Sequence, residues 1–597
     1  LLTVISSATD VTAIDVLARS KDGKSAFTVD GVVQLIASGS GGAISLEASN
    51  ESSTVSAISV GGYYDGRLDV LADSGQITIN SDNKLGLKNG INTATRVGGA
   101  LTSGITLGSL SGTVIDPTSN RSSSDVVVNA NNLDVASGYT AKIDSSGTVT
   151  FLSNATAFGS EYTLSDYSIE STVSSLQVGK PTNTADVTLD QDLSVSGPIS
   201  FYGGDIALDQ NINTTGGASA GDVLIKASGT IELASSKSIT TDGAEVRLWS
   251  NSDSNGGHIV LHDGSTIDSR TSANRTNSIT TNASGGGNIW IAGGVDDGNG
   301  NPSGYALQTG NTEVGGVLLG TDNASDSSIS IWSGGGDIVI RGKNTYAGTS
   351  GIILGVAIFE GTHLNSGDVG DINILGSVTG SNSPATAAID IQSSRLDLAS
   401  SDITSKDGDI TISGESNKLW GVLTYANSNA PLTIQAVGSG SVTVTGTSND
   451  EDYGMGGAET RFLASSGNIG LSSPESAIAF FGSGVVLGEL SDSDVAASAS
   501  DITLTFDKYI LNQDDVTIDS SGSLQVLSSD SSFSSAFDPT ILDIASTITA
   551  FTVGKPSNTQ DITIGSAISI NGPLTAYGGD ITVSENIDTT VGGVSGD

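Results

Sequence analysis

The chain of 597 residues has a formal net charge of −42 and contains no cysteine. Its 65 acidic and 23 basic side chains would give a field that repels nucleic acid and anionic membranes, so we expect no nucleic-acid partner. The absence of cysteine excludes disulfides, thiolate chemistry and cysteine-based zinc sites.

Short apolar segments separated by turn residues dominate the composition. The chain has 78 glycines, 10 prolines and 36% hydrophobic residues, with valine, isoleucine and leucine in short runs between serine, threonine, asparagine and aspartate. This pattern predicts many short strands joined by turns rather than disorder. No apolar run reaches the length of a membrane helix, so we expect no direct membrane insertion.

A sequence near residue 200 returns at the end of the chain. Residues 178–222, which begin VGKPTNTADVTL, align without a gap on residues 553–597, which begin VGKPSNTQDITI, and 23 of 45 positions are identical. The same offset relates IDSSG at 143–147 to IDSSG at 518–522. Where a valine, leucine or isoleucine of the first copy is changed, another of these apolar residues replaces it, as in Val187 and Ile562.

This repetition predicts tandem units of roughly 375 residues each. Residues 1–222 would be the C-terminal part of one repeat unit, and residues 223–597 would be the next unit of the same continuous solenoid. The boundary at 222/223 is approximate, and we expect no linker there. Because the chain opens at Leu1 without an initiator methionine, we expect it to be a segment of a longer protein.

Apolar residues inside the repeat stand in pairs two positions apart. Each pair fits a short strand with both apolar side chains on one face: Val187/Leu189, Leu193/Val195, Ile199/Phe201 and Ile206/Leu208. Three such strands in about 19 residues leave no room for a crossover helix, so each strand must stack on its equivalent one turn earlier. The predicted fold is all-β: a right-handed parallel β-helix (β-solenoid) with about three short strands in each coil of ~19–20 residues.

An aspartate followed by an apolar residue opens many of the predicted strands. It occurs at Asp186, Asp205, Asp222, Asp337, Asp371, Asp409, Asp561 and Asp580. Several of the gaps match one coil of the predicted length, and we interpret the gap of 34 between Asp337 and Asp371 as near a double turn. At such corners glycine would supply positive φ angles, while aspartate, asparagine and serine would bond their own backbone.

Three histidines, His258, His262 and His363, are the candidates for imidazole chemistry. The first two lie in GGHIVLHDG, which resembles a strand, and four steps along a strand place their Cα atoms about 13 Å apart. Because they cannot share a metal ion at that distance, we predict that both are same-face strand residues. A pH-sensitive or ligand contact is the alternative. We predict that His363, in FEGTHLNSG, lies in a loop.

Other motifs indicate turns rather than a reactive site. The glycine runs SGGGN (284–288) and SGGGD (333–337) lack the Lys-Ser/Thr of a phosphate-binding loop. The acidic clusters DDVTIDS (514–520) and SDSDV (491–495) carry little specificity for glycoside hydrolysis in so acidic a chain. We therefore predict that the protein is not an enzyme, and we name no catalytic, cofactor-binding or metal-binding residue. Binding of Ca²⁺ by acidic turns stays an open hypothesis.

Four tryptophans stand in strand-like segments such as GNIWIAGG and SISIWSGG: Trp249, Trp290, Trp332 and Trp420. A ring that faced solvent could stack on a sugar. We favour packing in the core or on the surface as the interpretation.

Four phrases of similar form recur along the chain. They are GGDIALDQNINTT (203–215), GGDIVIRG (335–342), GDINILGSVTG (370–380) and GGDITVSENIDTT (578–590). They resemble the repeat regions of bacterial filamentous haemagglutinin-like adhesins and other giant β-strand-repeat surface proteins. The resemblance spans most of the chain and implies a right-handed β-helical shaft in a secreted or surface-tethered fibre. It identifies no receptor-binding or catalytic residue.

These observations favour a structural or adhesive shaft of a large extracellular or cell-surface repetitive fibre protein. A self-assembling extracellular filament or surface-layer subunit is one alternative, and a carbohydrate-binding or carbohydrate-active β-helix is another. The expected partners are neighbouring repeats of the same chain or other copies of it, and cell-surface glycans or other cells. The expected location is outside a bacterial cell or on its surface.

Overall fold

The computed structural model describes residues 2–591 except 22–23, 30, 38, 40, 51–56, 61–66, 73, 88–103, 108–122, 136–139, 144, 166, 217–220, 276–283, 311–314, 321–327, 349–351, 360, 381–384, 393–401, 427–429, 450–452, 481–483, 489–497 and 512–515. Within these residues, strands alternate with short turns, and the helical segments are α1 (Ser272–Arg275) and a 3-10 turn (Pro539–Ile541). The predicted fold class, an all-β parallel β-helix with about three short strands per coil, is confirmed. Its right-handed sense stays a prediction.

The chain divides into two compact units. Unit 1 comprises residues 1–231 and 237–244, and unit 2 comprises residues 232–236 and 245–597. The predicted boundary at 222/223 concerns the phase of the sequence repeat and stays a prediction. Among the described residues, no helix combines the length and apolar character needed to cross a membrane.

Unit 1 consists of short strands, most of them two to six residues long. They are β1 (Leu2–Ser6), β2 (Thr12–Ser20), β3 (Phe27–Val29), β4 (Val32–Ala37), β5 (Ala43–Asn50), β6 (Ile58–Val60), β7 (Arg67–Ala72), β8 (Ile77–Leu87), β9 (Gly104–Leu107), β10 (Val126–Val135), β11 (Thr140–Ile143), β12 (Thr148–Leu152), β13 (Tyr162–Thr163), β14 (Tyr167–Ile169), β15 (Ser175–Val178), β16 (Val187–Leu189), β17 (Leu193–Ser194), β18 (Ile199–Gly203), β19 (Ile206–Leu208), β20 (Ile212–Asn213), β21 (Val223–Ala227) and β23 (Ser238–Thr240). Strand β22 (Ile231–Leu233) has residues in both units.

Unit 2 has longer strands in its middle coils. Its strands are β24 (Val246–Ser250), β25 (Ile259–Leu261), β26 (Thr266–Asp268), β27 (Ile289–Asp296), β28 (Pro302–Gly304), β29 (Ala306–Gln308), β30 (Val317–Leu319), β31 (Ser330–Trp332), β32 (Ile338–Asn344), β33 (Ile352–Ile358), β34 (His363–Asn365), β35 (Ile372–Val378), β36 (Ala385–Gln392), β37 (Asp402–Ser405), β38 (Ile410–Ser416), β39 (Trp420–Tyr425), β40 (Leu432–Ala436), β41 (Val442–Ser448), β42 (Tyr453–Ala458), β43 (Thr460–Ala464), β44 (Ile469–Phe480), β45 (Val485–Leu487), β46 (Ile502–Leu511), β47 (Val516–Ile518), β48 (Ser523–Leu527), β49 (Asp543–Ile544), β50 (Ala550–Val553), β51 (Ile562–Ile564), β52 (Ile568–Ser569), β53 (Leu574–Ala576), β54 (Ile581–Val583) and β55 (Ile587–Asp588).

Most strands pair in parallel with their equivalent in the next coil, commonly the third strand further along the chain, which gives each unit three faces. In unit 1, the sets β15-β18-β21, β16-β19 and β17-β20-β23 stack in this way. In unit 2, the sets β32-β35-β38-β41, β33-β36-β39-β42 and β34-β37-β40-β43 do the same. Because side chains alternate between the two sides of a strand, one set of side chains from each face points inward and meets inside the coil.

The inward side chains form continuous aliphatic rows. Ile289, Ile338, Ile372 and Ile410 follow one another in register in unit 2, and all four are completely buried. Full burial of such a side chain contributes about 1.5–3 kcal/mol. A row of this kind stabilises each coil through its neighbours, as in other repeat proteins.

Coil length differs from the prediction in much of the chain. The predicted length holds between Asp186 and Asp205 and between Asp561 and Asp580, which are each 19 positions apart. Elsewhere in unit 2, equivalent positions of adjacent coils are from 22 positions apart, as between Asp501 and Ser523, to 64 positions apart, as between Thr266 and Ser330. The additional residues lie in longer strands and in insertions such as the antiparallel pair β27–β28.

Candidate functional site

The most repetitive polar feature is the corner directly before the first strand of each coil in unit 2. The Oδ1 atom of Asp337 accepts a hydrogen bond from the N–H of Asp371 (3.0 Å), and Oδ1 of Asp371 accepts one from the N–H of Asp409 (2.8 Å). Oδ1 of Asp409 in turn accepts from the N–H of Ser441 (2.8 Å). The aspartates therefore tie each coil to the next, whereas the sequence suggested bonds within a turn. We call Asp337, Asp371 and Asp409 the aspartate ladder.

The aspartate ladder corrects the interpretation of the gap of 34 positions. Asp337 and Asp371 belong to adjacent coils, so the gap is one coil and not two. Asp186, Asp205, Asp561 and Asp580 lie at a different corner, before the second face, where the same bond recurs between Asp186 and Asp205 (2.8 Å) and between Asp561 and Asp580 (2.9 Å). The single sequence motif thus marks two corners of the coil.

Stacked carboxylates in the aspartate ladder affect one another. Partial burial raises the pKa of the Asp371 carboxyl, and the like charges of Asp337 and Asp409 raise it further. The hydrogen bond from the Asp409 backbone N–H lowers the pKa and opposes part of that shift. Burial and two like-charged neighbours therefore disfavour a negative charge on Asp371, in the middle of the ladder.

Glycine occupies the position just before this corner in coil after coil. A Cβ atom on Gly370 would lie 2.0 Å from the carbonyl oxygen of Gly336, and one on Gly408 would lie 2.1 Å from that of Gly370. Gly440 and Gly467 repeat the 2.1 Å approach. None of these four glycines has φ in the left-handed region, so the predicted reason for glycine is wrong here. The close approach of successive coils is the cause.

The VGKPTN and VGKPSN segments form the corner where the two sequence copies agree best. Gly179 and Gly554 have φ of 79° and 78°, which agrees with the predicted use of glycine. The side chain of Asn183 accepts from the N–H of Phe158 (3.0 Å) and donates to the carbonyl of Tyr202 (2.8 Å). Asn558 makes the same two bonds in the second copy. One amide thus joins three successive coils.

Small hydroxyl side chains line the inside of the corner. Ser269, Ser333 and Ser405 are completely buried at the end of the third face. Ser269 Oγ donates to the carbonyl of Gly287 (2.6 Å), Ser405 Oγ donates to that of Gly370 (3.0 Å), and Ser333 Oγ donates to that of Gly336. These bonds give the corner carbonyls of Gly287, Gly336 and Gly370 a hydroxyl donor.

The three histidines differ in their position relative to the strands and in their acidic partners. His258 and His262 lie one residue outside the two ends of β25, so the prediction that both are strand residues is wrong. His262 Nε2 lies 3.7 Å from Glu232 Oε2. His363 is the first residue of β34 and not a loop residue, so that prediction is wrong. Its Nδ1 atom bonds the carboxylate of Asp402, the residue in register on β37 of the next coil.

The Asp402 carboxylate changes the titration of His363. The hydrogen bond to Asp402 raises the pKa of His363, partial burial opposes the shift, and the charge of Asp402 adds to it. Sequence reasoning missed this pair because 39 residues separate the partners, and only the length of that coil brings them together.

The four tryptophans contact protein groups. Trp249 is buried and its Nε1 donates to the carbonyl of Gly294 (2.7 Å). Trp420 stacks on Tyr453 with ring centroids 4.7 Å apart. Arginine side chains lie over the other two rings: Arg341 over Trp290 at 5.9 Å and Arg270 over Trp332 at 4.0 Å.

A buried ionic cluster next to Trp332 escaped the sequence reasoning. Arg270 makes a bidentate bond to Asp268 at 2.9 and 2.7 Å, and Arg275 Nε lies 3.3 Å from the same carboxylate. Asp268 and Arg270 are 5% and 6% exposed. The local signal was weak, because an Asp-x-Arg pair is common in strands. The cluster fixes the turn that leads into α1.

The glycine runs singled out in the sequence lie at corners of the coil, and the acidic clusters lie wholly or partly outside the described residues. SGGGD at 333–337 forms the corner described above. SGGGN at 284–288 forms the equivalent corner one coil earlier, where Asn288 Oδ1 accepts a hydrogen bond from the N–H of Asp337 (2.8 Å). The cluster SDSDV at 491–495 lies outside the described residues, as do residues 514–515 of DDVTIDS. Among the described residues, no group of three His, Cys, Asp or Glu side chains could hold a metal ion.

Comparison with known proteins gives no relative for this chain. No protein-family model, no curated protein and no solved structure matches it.

Proposed function

We propose that the chain is a structural or adhesive shaft of a large extracellular or cell-surface repetitive fibre protein, and that it is not an enzyme. The observation that carries the proposal is the continuity of the corners: aspartate and asparagine side chains bond one coil to the next in unit 1, and aspartate and serine side chains do so in unit 2. Polar side chains are thus used to hold the stack together. The resemblance to filamentous haemagglutinin-like adhesins supports the same conclusion.

The experiment that tests the shaft is an extension of the chain in repeat phase. A second copy of residues 223–597 is joined directly after Asp597, and the particles are measured by electron microscopy. We expect one dimension to increase by about 4.8 Å for each added coil, with the others unchanged. An added copy that forms a separate globule would contradict the proposal.

The adhesive part of the proposal needs its own assay. The purified chain is tested for binding to bacterial and host cells and to an array of cell-surface glycans. Binding that survives in 0.5 M NaCl would assign adhesion to these repeats. Extension without binding would limit their role to the structural one.

A further inference from the structure

The two sequence copies differ at one corner between the second and third faces. In the first copy, Gln191 Nε2 donates to the carbonyl of Leu164 (2.6 Å) and to that of Tyr167 (2.7 Å). Oδ1 of the adjacent Asp190 accepts from the N–H groups of Leu164 (3.1 Å) and Ser165 (2.6 Å). A carboxamide and a carboxylate therefore close the space between two coils, at a point where β14 ends one sheet and β17 begins another.

The backbone of the second copy repeats this corner. Leu542 N–H bonds the carbonyl of Pro539 (3.2 Å), as Tyr167 N–H bonds that of Leu164 (2.9 Å) at the equivalent positions of the first copy. The next bond upstream also recurs, from Phe537 to Asp561 (2.9 Å) and from Tyr162 to Asp186 (2.9 Å). The carbonyls of Pro539 and Leu542 thus hold the positions that the Gln191 amide bonds in the first copy.

The side chains at this corner are smaller in the second copy. Gly565, Ser566, Ala567 and Leu542 stand where the first copy has Asp190, Gln191, Asp192 and Tyr167. The corner is closed from the other coil instead: Gly565 N–H bonds Asp538 Oδ1 (3.4 Å), and Ser566 N–H bonds Thr540 Oγ1 (3.0 Å). These bonds hold the backbone, but no side chain takes the volume of the Gln191 carboxamide among the described residues that line the corner.

A cavity of about 310 Å³ lies at this corner in the second copy, lined by Thr540, Ile541, Leu542, Asp543, Ile544, Ser566, Ala567 and Ile568. Its lining is mainly polar and includes the hydroxyls of Thr540 and Ser566 and the exposed carboxylate of Asp543. The apolar lining residues are isoleucines and a leucine, of which Leu542 and Ile568 are each only 4% exposed. No basic side chain is among these lining residues. We name this space the Ser566 cavity.

We propose that the Ser566 cavity binds a terminal nitrogen that carries at least two N–H donors on a short apolar stem, namely a primary amide or a primary ammonium group. The Gln191 amide shows in the first copy that one such nitrogen bridges both carbonyls of this corner. The partly exposed side chains of Ile541 and Ile544 are the apolar lining groups that the methylene groups of a short stem can contact. Acceptors around the cavity and the net charge of −42 disfavour an anion. The inference goes beyond the proposed shaft and does not depend on it.

The full chain, labelled at isoleucine δ1 methyl groups, tests the site by NMR titration. Propionamide and propylammonium are the probes, and propionate is the matched anion. We expect the methyl signals of Ile541, Ile544 and Ile568 to shift with one or both nitrogen probes and not with propionate. Shifts with propionamide alone would identify an amide site, and shifts with propylammonium alone an ammonium site.

Two substitutions place the side chain of one copy at the equivalent corner position of the other copy. Ser566→Gln should fill the cavity from within and weaken binding at least tenfold, while Ser566→Ala should retain it. Gln191→Ser should open the matching space in the first copy, so that the Ile169 methyl group also responds to the probe. Failure of the wild-type chain to respond, an equal response to propionate, or an unchanged response in Ser566→Gln would overturn the proposal. If Ser566→Gln alters the methyl spectrum as a whole, the Gln191→Ser variant decides, because a silent Ile169 contradicts the inference.

Discussion

Backbone carbonyls of one coil lie directly against the corner glycines of the next, and this contact decides which residue each corner tolerates. Gly408→Ala would place a Cβ atom 2.1 Å from the carbonyl oxygen of Gly370, so a backbone shift is unavoidable. We expect a loss of about 1–3 kcal/mol, seen as a lower urea midpoint. Gly470→Ala is the matched control, because the nearest atom to its Cβ is 3.9 Å away. Equal midpoints for the two variants would refute the stacking argument.

The aspartate ladder predicts opposite effects for two substitutions of Asp371. Asp371→Ala removes the acceptor of the Asp409 N–H bond, and we expect a loss of about 1 kcal/mol at pH 7. Asp371→Asn keeps an acceptor oxygen and removes a charge that burial, Asp337 and Asp409 disfavour. We expect Asp371→Asn to be at least as stable as the wild type at pH 7.

The stability difference between Asp371→Asn and the wild type should depend on pH. A raised pKa means that the folded state binds the Asp371 proton more tightly than the unfolded state, where the pKa is about 3.9. The advantage of Asp371→Asn should therefore shrink as the pH falls through the raised pKa. Urea midpoints of the wild type and both variants between pH 4 and pH 7 measure this difference. An Asp371→Asn variant as unstable as Asp371→Ala would contradict it.

Between neighbouring strands, the pair of His363 on β34 and Asp402 on β37 joins two coils through one ion pair. Because the pKa of His363 is raised, its stabilisation is complete below the unfolded value near 6.5 and is lost as the pH rises through the folded value. Asp402→Asn should lower the pKa of His363 and cost at most about 1 kcal/mol below pH 6.5. An NMR titration of the His363 ring checks the pKa, and an unchanged value in Asp402→Asn would disprove the pairing.

The sequence predicts strands well where coils are short and poorly where insertions lengthen them. Between Val187 and Leu208 the alternation of apolar residues marks every strand, because turns of a few residues leave only strands to read. The coil between Asp337 and Asp371 includes the seven-residue strands β32 and β33 and their connection, so its length carries no simple period. Without that length, the register of His363 with Asp402 could not be predicted.

The candidate site was less predictable than the fold. The aspartates were recognised as corner residues, but their acceptor role depends on the coil above, which a single sequence does not reveal. The Ser566 cavity depends on four side chains becoming smaller together, relative to the first copy. That difference is visible in the alignment, but its volume follows only from the packed structure.

Across the whole molecule, repulsion among the charges that make up the net charge of −42 opposes the stacking of the coils. Like charges on successive corners repel, and the repulsion is screened over about 30 Å at 0.01 M salt and about 8 Å at 0.15 M. We therefore expect the urea midpoint to rise with NaCl over this range, and to rise further on lowering the pH toward 5.

The comparison with CaCl₂ at equal ionic strength tests the Ca²⁺ hypothesis, because screening alone acts through ionic strength. A gain at micromolar CaCl₂ that NaCl does not reproduce would show specific binding. A midpoint that falls as NaCl is added would show instead that attractive ion pairs outweigh the repulsion among the acidic side chains.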